Sequence, residues 1–205
     1  MQKFSLFVES NKLYWSTNKI FYSSLFLCIG VLFIKKEVLK LEEESLFDTI
    51  FKFLGIATMI IGLICMFRGF TQIKPLRGKL DGYLIFNNEN ICIKDEIIPI
   101  SEIKKIQISN NDYRGLLGSV KGNFGPALSN GTNNSIVIYL ERGQTKKYWF
   151  ELINSNDFQN IRNILIEYHL HGKIDFWELA DVLGEKSTSE VRDFKEEILN
   201  KKHNR

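Results

Sequence analysis

The residues best suited to chemistry in this sequence lie in a glycine-rich stretch, residues 109–134. Glycine lets backbone N–H groups approach a ligand closely, and a cation beside such groups can help to hold a phosphate. Two glycines and two cations of this stretch therefore form a candidate site for a phosphate or an anionic lipid headgroup. These four residues are Arg114, Gly118, Lys121 and Gly122.

The same stretch also has two plainer interpretations. It does not match the phosphate-binding pattern G-x-x-x-x-G-K-[ST], and no strand-to-helix frame surrounds it. A long glycine-rich segment is often a loop without a site, or a bulged pair of strands. An enzymatic alternative requires Asp112, Arg114 and Lys121 to converge with another ionisable group in one cleft. The sequence leaves the phosphate site, the plain loop, the bulged strands and the enzyme open.

Other catalytic and metal-binding chemistry has little support in the sequence. The three cysteines, Cys28, Cys65 and Cys92, stand singly, so no zinc motif or disulfide framework is predicted. His169 and His171 are two residues apart near a predicted helix end and point in different directions, which favours a surface or capping role. We predict no catalytic residue, no metal ligand and no cofactor.

Length and charge limit the class of protein. The chain has 205 residues, enough for one ordinary domain and an anchor. Its 27 basic and 24 acidic residues give a net charge of +3, which does not indicate nucleic-acid binding. Apolar residues concentrate before position 70 and charged residues after it.

Two uncharged apolar runs, Ile20–Ile34 and Phe53–Phe67, predict membrane helices. Each run has 15 residues and covers only about 22 Å as a helix, less than the hydrocarbon core of a bilayer. Flanking lysines and aromatic residues, however, are typical of the membrane interface and extend the predicted helices to 18–36 and 50–68. We therefore predict a two-helix transmembrane hairpin over 20–68, preceded by a cytoplasmic N-terminal segment, 1–19.

Two alternatives compete with this interpretation of the apolar runs. The first run could be a cleaved signal peptide, but it lacks a compact basic region before it and a small-residue cleavage site after Ile34. Both runs could also form a buried helical hairpin inside a soluble protein.

Basic residues close to the two runs predict the orientation. Seven of them lie on the side of the termini, against three or four in the connecting loop, so both termini are expected in the cytoplasm. A cluster of four directly after the second helix would also attract anionic lipid. The cluster consists of Arg68, Lys74, Arg77 and Lys79. The expected location is a bacterial cell (inner) membrane, as a multi-pass protein.

Gly55, Gly62 and Gly69 are spaced seven residues apart in the second helix and share one face. Glycines on one face allow a partner helix to approach closely, so we identify these three as candidate helix-packing residues, with Gly30 as a counterpart. Glycine is also generally common in membrane helices, which is the simpler explanation.

After residue 79 the pattern changes to short strands separated by turn residues, followed by helices. The predicted strands are 79–86, 90–94, 96–100, 103–109, 135–141 and 145–151. A helix over 156–170 and a charged helical tail over 171–205 follow, the tail with a capping box at Ser187 and Glu190. The fold class is thus a membrane α-helical hairpin plus an α+β soluble domain, a small antiparallel barrel or curled sheet capped by a C-terminal helix.

This order resembles the bacterial pleckstrin-homology-like domains that follow two membrane helices. The resemblance is carried by GYLIF at 82–86, by IPISEI at 98–103, by the strands to Phe150 and by the helix over 156–170. It covers about 90 residues, 79–170 in our boundaries, and implies a scaffold that binds lipid or protein, without catalytic residues.

The function expected from these observations is a membrane-anchored, non-catalytic binding or scaffold protein. Its expected partners are the bilayer and either an anionic lipid or a protein, with self-association as a further option. The alternative is a membrane-bound enzyme that uses residues 109–134.

Overall fold

The structure of the protein is a computed structural model that describes residues 2–38, 46–119 and 123–203. The chain divides into two compact units. The sheet unit comprises Met1–Ser10, Leu76–Leu116 and Asn130–Arg205, and the hairpin unit comprises Asn11–Pro75 and Leu117–Ser129. Most of the predicted connecting loop of the hairpin, including Lys40, lies outside the described residues.

The hairpin unit contains two long helices. Helix α1 spans Thr17–Phe33 and continues as a π-helical turn over Ile34–Val38, and α2 spans Leu46–Gly69. Ser16 caps α1, because its Oγ accepts a hydrogen bond from the Lys19 N–H at 3.2 Å. The stretches Thr17–Glu37 and Asp48–Gly69, of 21 and 22 residues, are long and apolar enough to cross a membrane, in agreement with the predicted spans.

A buried ion pair lies where the two helices approach the connecting loop. Lys35, in the π-helical turn after α1, donates to the carboxylate of Asp48 at the start of α2. Both residues are less than a tenth exposed. Because an unpaired charge is costly in apolar surroundings, this pair stabilises the closed end of the hairpin.

The sheet unit is built on an open seven-stranded sheet in which all recorded strand pairs are antiparallel. The strand order is β4-β3-β2-β1-β9-β8-β5. The strands are β1 Lys3–Glu9, β2 Gly78–Phe86, β3 Asn90–Ile93, β4 Glu96–Pro99, β5 Ile103–Ser109, β8 Asn134–Leu140 and β9 Thr145–Phe150. Two short strands, β6 Arg114–Leu117 and β7 Leu128–Asn130, form a separate two-stranded sheet. The six predicted strands therefore exist within about one residue of their predicted ends.

Strand β1 is a central strand of the sheet, although it precedes the membrane-length helices. It pairs with β2 from Lys3↔Ile85 to Glu9↔Gly78, so the helical hairpin is inserted between two hydrogen-bonded neighbours. The Phe4 ring is buried and stacks on Phe158 with ring centroids 4.8 Å apart. The domain predicted to begin at residue 79 thus also includes part of the predicted N-terminal segment.

The sheet is strongly curled. Lys146 of β9 forms an ion pair with Glu96 of β4, and the Tyr148 hydroxyl donates to the other oxygen of the same carboxylate at 3.3 Å. Strands β4 and β9 are four positions apart in the sheet, which would separate them by about 19 Å if the sheet were flat. The side chains meet only because the sheet bends around its apolar face.

Helix α3, Arg162–Leu170, covers the apolar face of the sheet. The predicted helix over 156–170 is regular only from Arg162, since a 3₁₀ turn occupies Asp157–Ile161. Tyr168 is fully buried in α3, and its hydroxyl donates to the backbone oxygen of Asn87 at 2.5 Å. Burial raises the pKa of this hydroxyl far above its ordinary value, so it remains a donor that ties α3 to the β2–β3 turn.

The edge strand β5 is protected by the segment that follows α3. The Ile106 N–H donates to the Lys173 carbonyl oxygen at 2.7 Å, and the Ile108 N–H donates to a carboxylate oxygen of Glu178 at 2.9 Å. Glu178 lies in α4, Phe176–Val182. Burial raises the pKa of its carboxyl, although the Ile108 N–H and the charge of Lys105 oppose the shift.

The C-terminal helix α5, Thr188–His203, packs on the sheet unit through Phe194 and Ile198, which are buried in its core. The predicted capping box is confirmed, because Glu190 accepts the Ser187 N–H at 2.8 Å and Ser187 Oγ accepts the Glu190 N–H at 3.2 Å. Arg162 of α3 forms ion pairs with Glu197 of α5 and with Glu185 in the segment before that helix.

The first prediction concerns β1. Phe4→Ala removes a ring buried among other rings, and we expect the sheet unit to lose about 3–5 kcal/mol of unfolding free energy. The measurement is denaturant unfolding of the full chain in detergent. Val8→Ala, in the same strand but 40% exposed, is the control and should cost less than about 1.5 kcal/mol. Equal stability of wild type and Phe4→Ala would contradict a role for β1 in the core.

The second prediction concerns the β5 edge. Glu178→Ala leaves the Ile108 N–H without its acceptor and should cost about 1–3 kcal/mol, whereas Glu178→Gln keeps an acceptor and should cost less. Because the carboxyl's pKa is raised on folding, its contribution is complete at low pH and declines as pH rises through that raised value. The stability of Glu178→Gln relative to wild type should therefore increase as pH rises through the raised pKa of the Glu178 carboxyl. If the stability of Glu178→Gln relative to wild type fell as pH rises, the raised pKa assigned to the Glu178 carboxyl would be refuted.

Candidate functional site

The glycine-rich stretch folds back onto the start of α1 in the hairpin unit. The Phe124 ring stacks on Phe21, with centroids 3.9 Å apart and planes 26° apart, and meets Tyr22 edge-on at 5.6 Å. Phe21 is itself buried. This aromatic contact attaches the middle of the stretch to the helical hairpin.

Polar contacts strengthen the attachment. The Phe124 N–H donates to the Asn18 side-chain oxygen at 2.7 Å, and the Asn18 amide donates to the Asn123 side-chain oxygen at 3.1 Å. That Asn123 oxygen also accepts the Gly125 N–H at 3.1 Å. The asparagines thus satisfy the backbone where the loop lies against α1.

The loop also caps the C-terminal end of α2. The Ala127 N–H donates to the Gly69 carbonyl oxygen at 2.9 Å, and the Leu128 N–H donates to the Gln72 carbonyl oxygen at 3.1 Å. Gly69 is the last residue of α2, where carbonyl groups have no partner within the helix, and Gln72 belongs to the segment after it. A Cβ on Gly69 would lie 2.2 Å from the Gly125 carbonyl oxygen, so glycine is needed for the close approach.

The four candidate phosphate-site residues are only partly described. Arg114 lies in β6 with an exposed side chain, and its backbone N–H donates to the Leu152 carbonyl oxygen at 2.9 Å. The Gly118 N–H donates to the Ala127 carbonyl oxygen at 3.0 Å, so it is engaged within the loop. Lys121 and Gly122 lie outside the described residues, and the phosphate site stays a prediction.

The residues of the predicted basic cluster lie at the end of α2 and in the segment after it. The Lys74 N–H donates to the Leu128 carbonyl oxygen at 2.8 Å, and the Arg77 carbonyl oxygen accepts the Ser10 N–H at 2.9 Å. Lys79 is exposed and lies 3.2 Å from the Asp81 carboxylate. Arg68 is in the last turn of α2, where a cation interacts favourably with the helix dipole.

The three glycines of α2 differ in their surroundings. A Cβ on Gly62 would lie 2.3 Å from the Phe21 ring of α1, which marks a close approach of the two helices. Gly69 faces the loop backbone, and a Cβ on Gly55 would meet nothing within 4 Å. A Cβ on Gly30 would also find open space.

Asp112 has a structural role in the sheet unit. Its carboxylate accepts the Asn133 N–H at 2.9 Å, and its own N–H donates to the Asn134 side-chain oxygen at 3.0 Å. The fully buried Asn134 amide donates to the Gly131 carbonyl oxygen at 2.7 Å. This small network fixes the two ends of the glycine-rich stretch where they join the sheet.

A second candidate site, which the sequence analysis missed, is the cleft between β1 and β9. Only two residue pairs join these strands, Leu6↔Phe150 and Phe7↔Trp149, whereas β9 pairs with β8 along its whole length. Beyond Phe7, β1 stays with β2 and leaves β9. A register shift between Ser5 and Phe7 and a φ of +85° at Gly82 mark a bulge in the β1–β2 pairing, a feature that increases the local twist.

The cleft has a volume of about 550 Å³ and combines an apolar floor with a charged rim. Leu6 and Ile93 are buried beneath it, and Tyr148 and Trp149 form a wall. The rim carries the charged groups that line the cleft: Glu9, Lys94, Asp95, Glu96 and Lys147. Its size is typical of ligand-binding pockets.

Most rim charges are already paired. Glu96 pairs with Lys146, Lys94 lies 2.7 Å from Asp81, and the Lys147 ammonium lies 4.4 Å from the centre of the Trp149 ring. Hydrogen bonding to Glu96 raises the pKa of Lys146. In contrast, no ion pair recorded for the described residues includes Glu9 or Asp95.

The two histidines near the end of α3 differ in their surroundings. His169 Nδ1 lies 2.8 Å from the Ile174 carbonyl oxygen, at the end of α3, and His171 is exposed. Over residues 2–38, 46–119 and 123–203, no group of three or more His, Cys, Asp or Glu side chains is placed to hold a metal ion.

No protein-family model, curated protein or solved structure matches this chain.

The third prediction uses the contrast between two glycines of one helix. Gly69→Ala forces a Cβ against the Gly125 carbonyl oxygen and should displace the loop from α2. We expect hydrogen exchange of the Ala127 and Leu128 amides to become about fivefold faster or more, because a lost hydrogen bond is worth about 1 kcal/mol or more. Gly55→Ala, which has open space, is the matched control and should leave exchange unchanged. Equal exchange in both variants would contradict the capping role of the loop.

Proposed function

We propose that this chain is a non-catalytic, membrane-anchored binding protein that holds a pleckstrin-homology-like domain at the cytoplasmic face of a bacterial cell membrane. The observation that carries the proposal is the insertion of the helical hairpin between β1 and β2, two paired strands of one sheet.

The exposure of the two helices supports lipid as their surroundings. Only 11% of the apolar window in Thr17–Glu37 and 6% of that in Asp48–Gly69 is buried. Large apolar side chains such as Phe26 and Phe53 are more than two-thirds exposed. Contiguous apolar surface of this kind is unfavourable in water, which argues against a buried hairpin in a soluble protein.

The pairing of β1 with β2 constrains how often the chain crosses the membrane. Strands of one sheet occupy one compartment, so the segment between Glu9 and Gly78 crosses an even number of times. With two helices of membrane length, the number that fits is two. Removal of the first helix as a signal peptide would also remove β1, the central strand with the buried Phe4.

The direction of insertion follows from the basic residues. Those on the side of the termini outnumber those of the connecting loop, and Lys35 of the loop side is paired with Asp48. By the positive-inside rule the sheet unit belongs in the cytoplasm.

The binding role rests on the resemblance to pleckstrin-homology-like domains and on the cleft. The curled antiparallel sheet with a helix over its apolar face is compatible with that family. The described contacts do not favour the enzymatic alternative, because the Asp112 carboxylate accepts a backbone N–H and residues 123–128 are engaged with the hairpin.

The fourth prediction tests the anchor and its orientation. In a chain whose three cysteines are replaced by alanine, Glu42→Cys, in the connecting loop and outside the described residues, and Lys202→Cys, exposed on α5, each supply one thiol. A membrane-impermeant maleimide should label Glu42→Cys in intact bacterial cells, and Lys202→Cys only after permeabilisation.

Carbonate washing of the membranes provides the control for integration, since an integral protein stays in the pellet. Labelling of Lys202→Cys in intact cells would overturn the orientation, and release of the chain by carbonate would overturn the anchor.

A further inference from the structure

The edge of β9 that faces the cleft offers backbone groups to a further strand. The Glu151 N–H donates to the Ser5 carbonyl oxygen at 2.8 Å, and Trp149 is registered with Phe7, so odd-numbered residues direct their N–H and C=O groups to the β1 side. The same alternation directs those of Lys147 into the cleft, because the even-numbered residues bond to β8. On the opposite side of the cleft, Glu9 follows Ser5 and Phe7 as the next β1 residue whose backbone groups are directed toward β9.

An edge of this kind favours a polypeptide over other ligands. Strand addition at a sheet edge gains affinity from main-chain hydrogen bonds and specificity from pockets for alternate side chains. The apolar floor at Leu6 and Ile93 lies beside the edge and provides such a pocket. The edge strand β5 is covered by Lys173 and Glu178, so the open part of the interior strand β9 contrasts with a protected edge of the same sheet.

The charges of the rim select the kind of polypeptide. Glu96 and Lys94 lie in ion pairs with Lys146 and Asp81. The carboxylates of Glu9 and Asp95 then stand against one ammonium, that of Lys147, so the remaining charge of the rim is negative. Two carboxylates attract a cationic side chain and disfavour an anionic headgroup.

We propose that the β1–β9 cleft binds an extended segment of a partner polypeptide, added as a strand along β9, with an apolar side chain over Leu6 and Ile93 and a lysine or arginine near Glu9 and Asp95. This rests on the proposed function and specifies the class of its partner.

The test uses the full chain in uncharged detergent and a fluorescein-labelled peptide, VKVTVKV, that alternates apolar and basic residues. Binding is measured by fluorescence anisotropy. Saturable binding is expected, together with a change in the emission of Trp149 that disappears in Trp149→Phe. The other two tryptophans, Trp15 and Trp177, remain in that variant as an internal reference.

Charge and backbone are then tested separately. The double variant Glu9→Gln and Asp95→Asn should bind about 3- to 30-fold more weakly, as expected for the loss of two exposed charge pairs. The matched double variant Asp193→Asn and Glu196→Gln, on the exposed face of α5, should bind like wild type. A peptide N-methylated at alternate residues cannot complete the strand ladder and should bind at least about tenfold more weakly.

Three results would overturn the inference. They are the absence of saturable binding up to millimolar peptide, equal binding of the N-methylated peptide, and displacement of the peptide by short-chain phosphatidylserine, which would assign the cleft to lipid headgroups. If one of these results is obtained while the cysteine labelling gives the expected pattern, only the strand-addition site is refuted. If the labelling experiment itself fails, the membrane-anchored domain of the proposed function is refuted.

Discussion

The antiparallel pairing of β1 with β2 is the constraint on which the rest of the architecture depends, because the whole helical hairpin is inserted between these two strands in the amino-acid sequence. Pairing brings Glu9 opposite Gly78, so the chain leaves the sheet and returns to it at neighbouring positions. A segment inserted in this way has to turn back on itself. The closed end, with Lys35 paired to Asp48, and the close approach of Phe21 to Gly62 both serve that requirement.

The glycine-rich stretch illustrates how one composition serves different purposes. Glycines that could cradle a phosphate also permit two backbones to approach, and in the described part of the stretch this second use is realised. Gly69 and Gly125 bring the loop against the end of α2, where the Ala127 N–H bonds to the Gly69 carbonyl oxygen. Phe124 then stacks on Phe21, so the same short segment contacts both helices of the hairpin.

Strands β5 and β9 differ in whether other residues satisfy their outward-facing backbone groups. Strand β5 has its outward N–H groups satisfied by Lys173 and Glu178, an arrangement that prevents unwanted strand pairing. Strand β9 is an interior strand whose neighbour departs after two pairs, so part of its edge stays open beside an apolar floor. An interaction site that works by strand addition requires open backbone groups at the site and a protected edge elsewhere in the sheet.

Local patterns in the sequence determined most of the elements. Fifteen-residue uncharged runs specify the membrane-length helices, alternation specifies the strands after residue 78, and a serine three residues before a glutamate specifies the start of α5. These signals are local, since helix and strand periodicity and capping depend on neighbours in the chain.

Only the tertiary structure decided which elements belong together. The alternation of Phe4, Leu6 and Val8 is visible in the sequence, but its partner β2 begins about 70 residues later, beyond an intervening hairpin. The β1–β9 cleft likewise lies where β1 stops pairing with β9, beside a bulge at Gly82 of β2, and so involves three strands at once. Pairing, burial and the approach of two backbones depend on residues distant in the chain, and therefore no single segment encodes them.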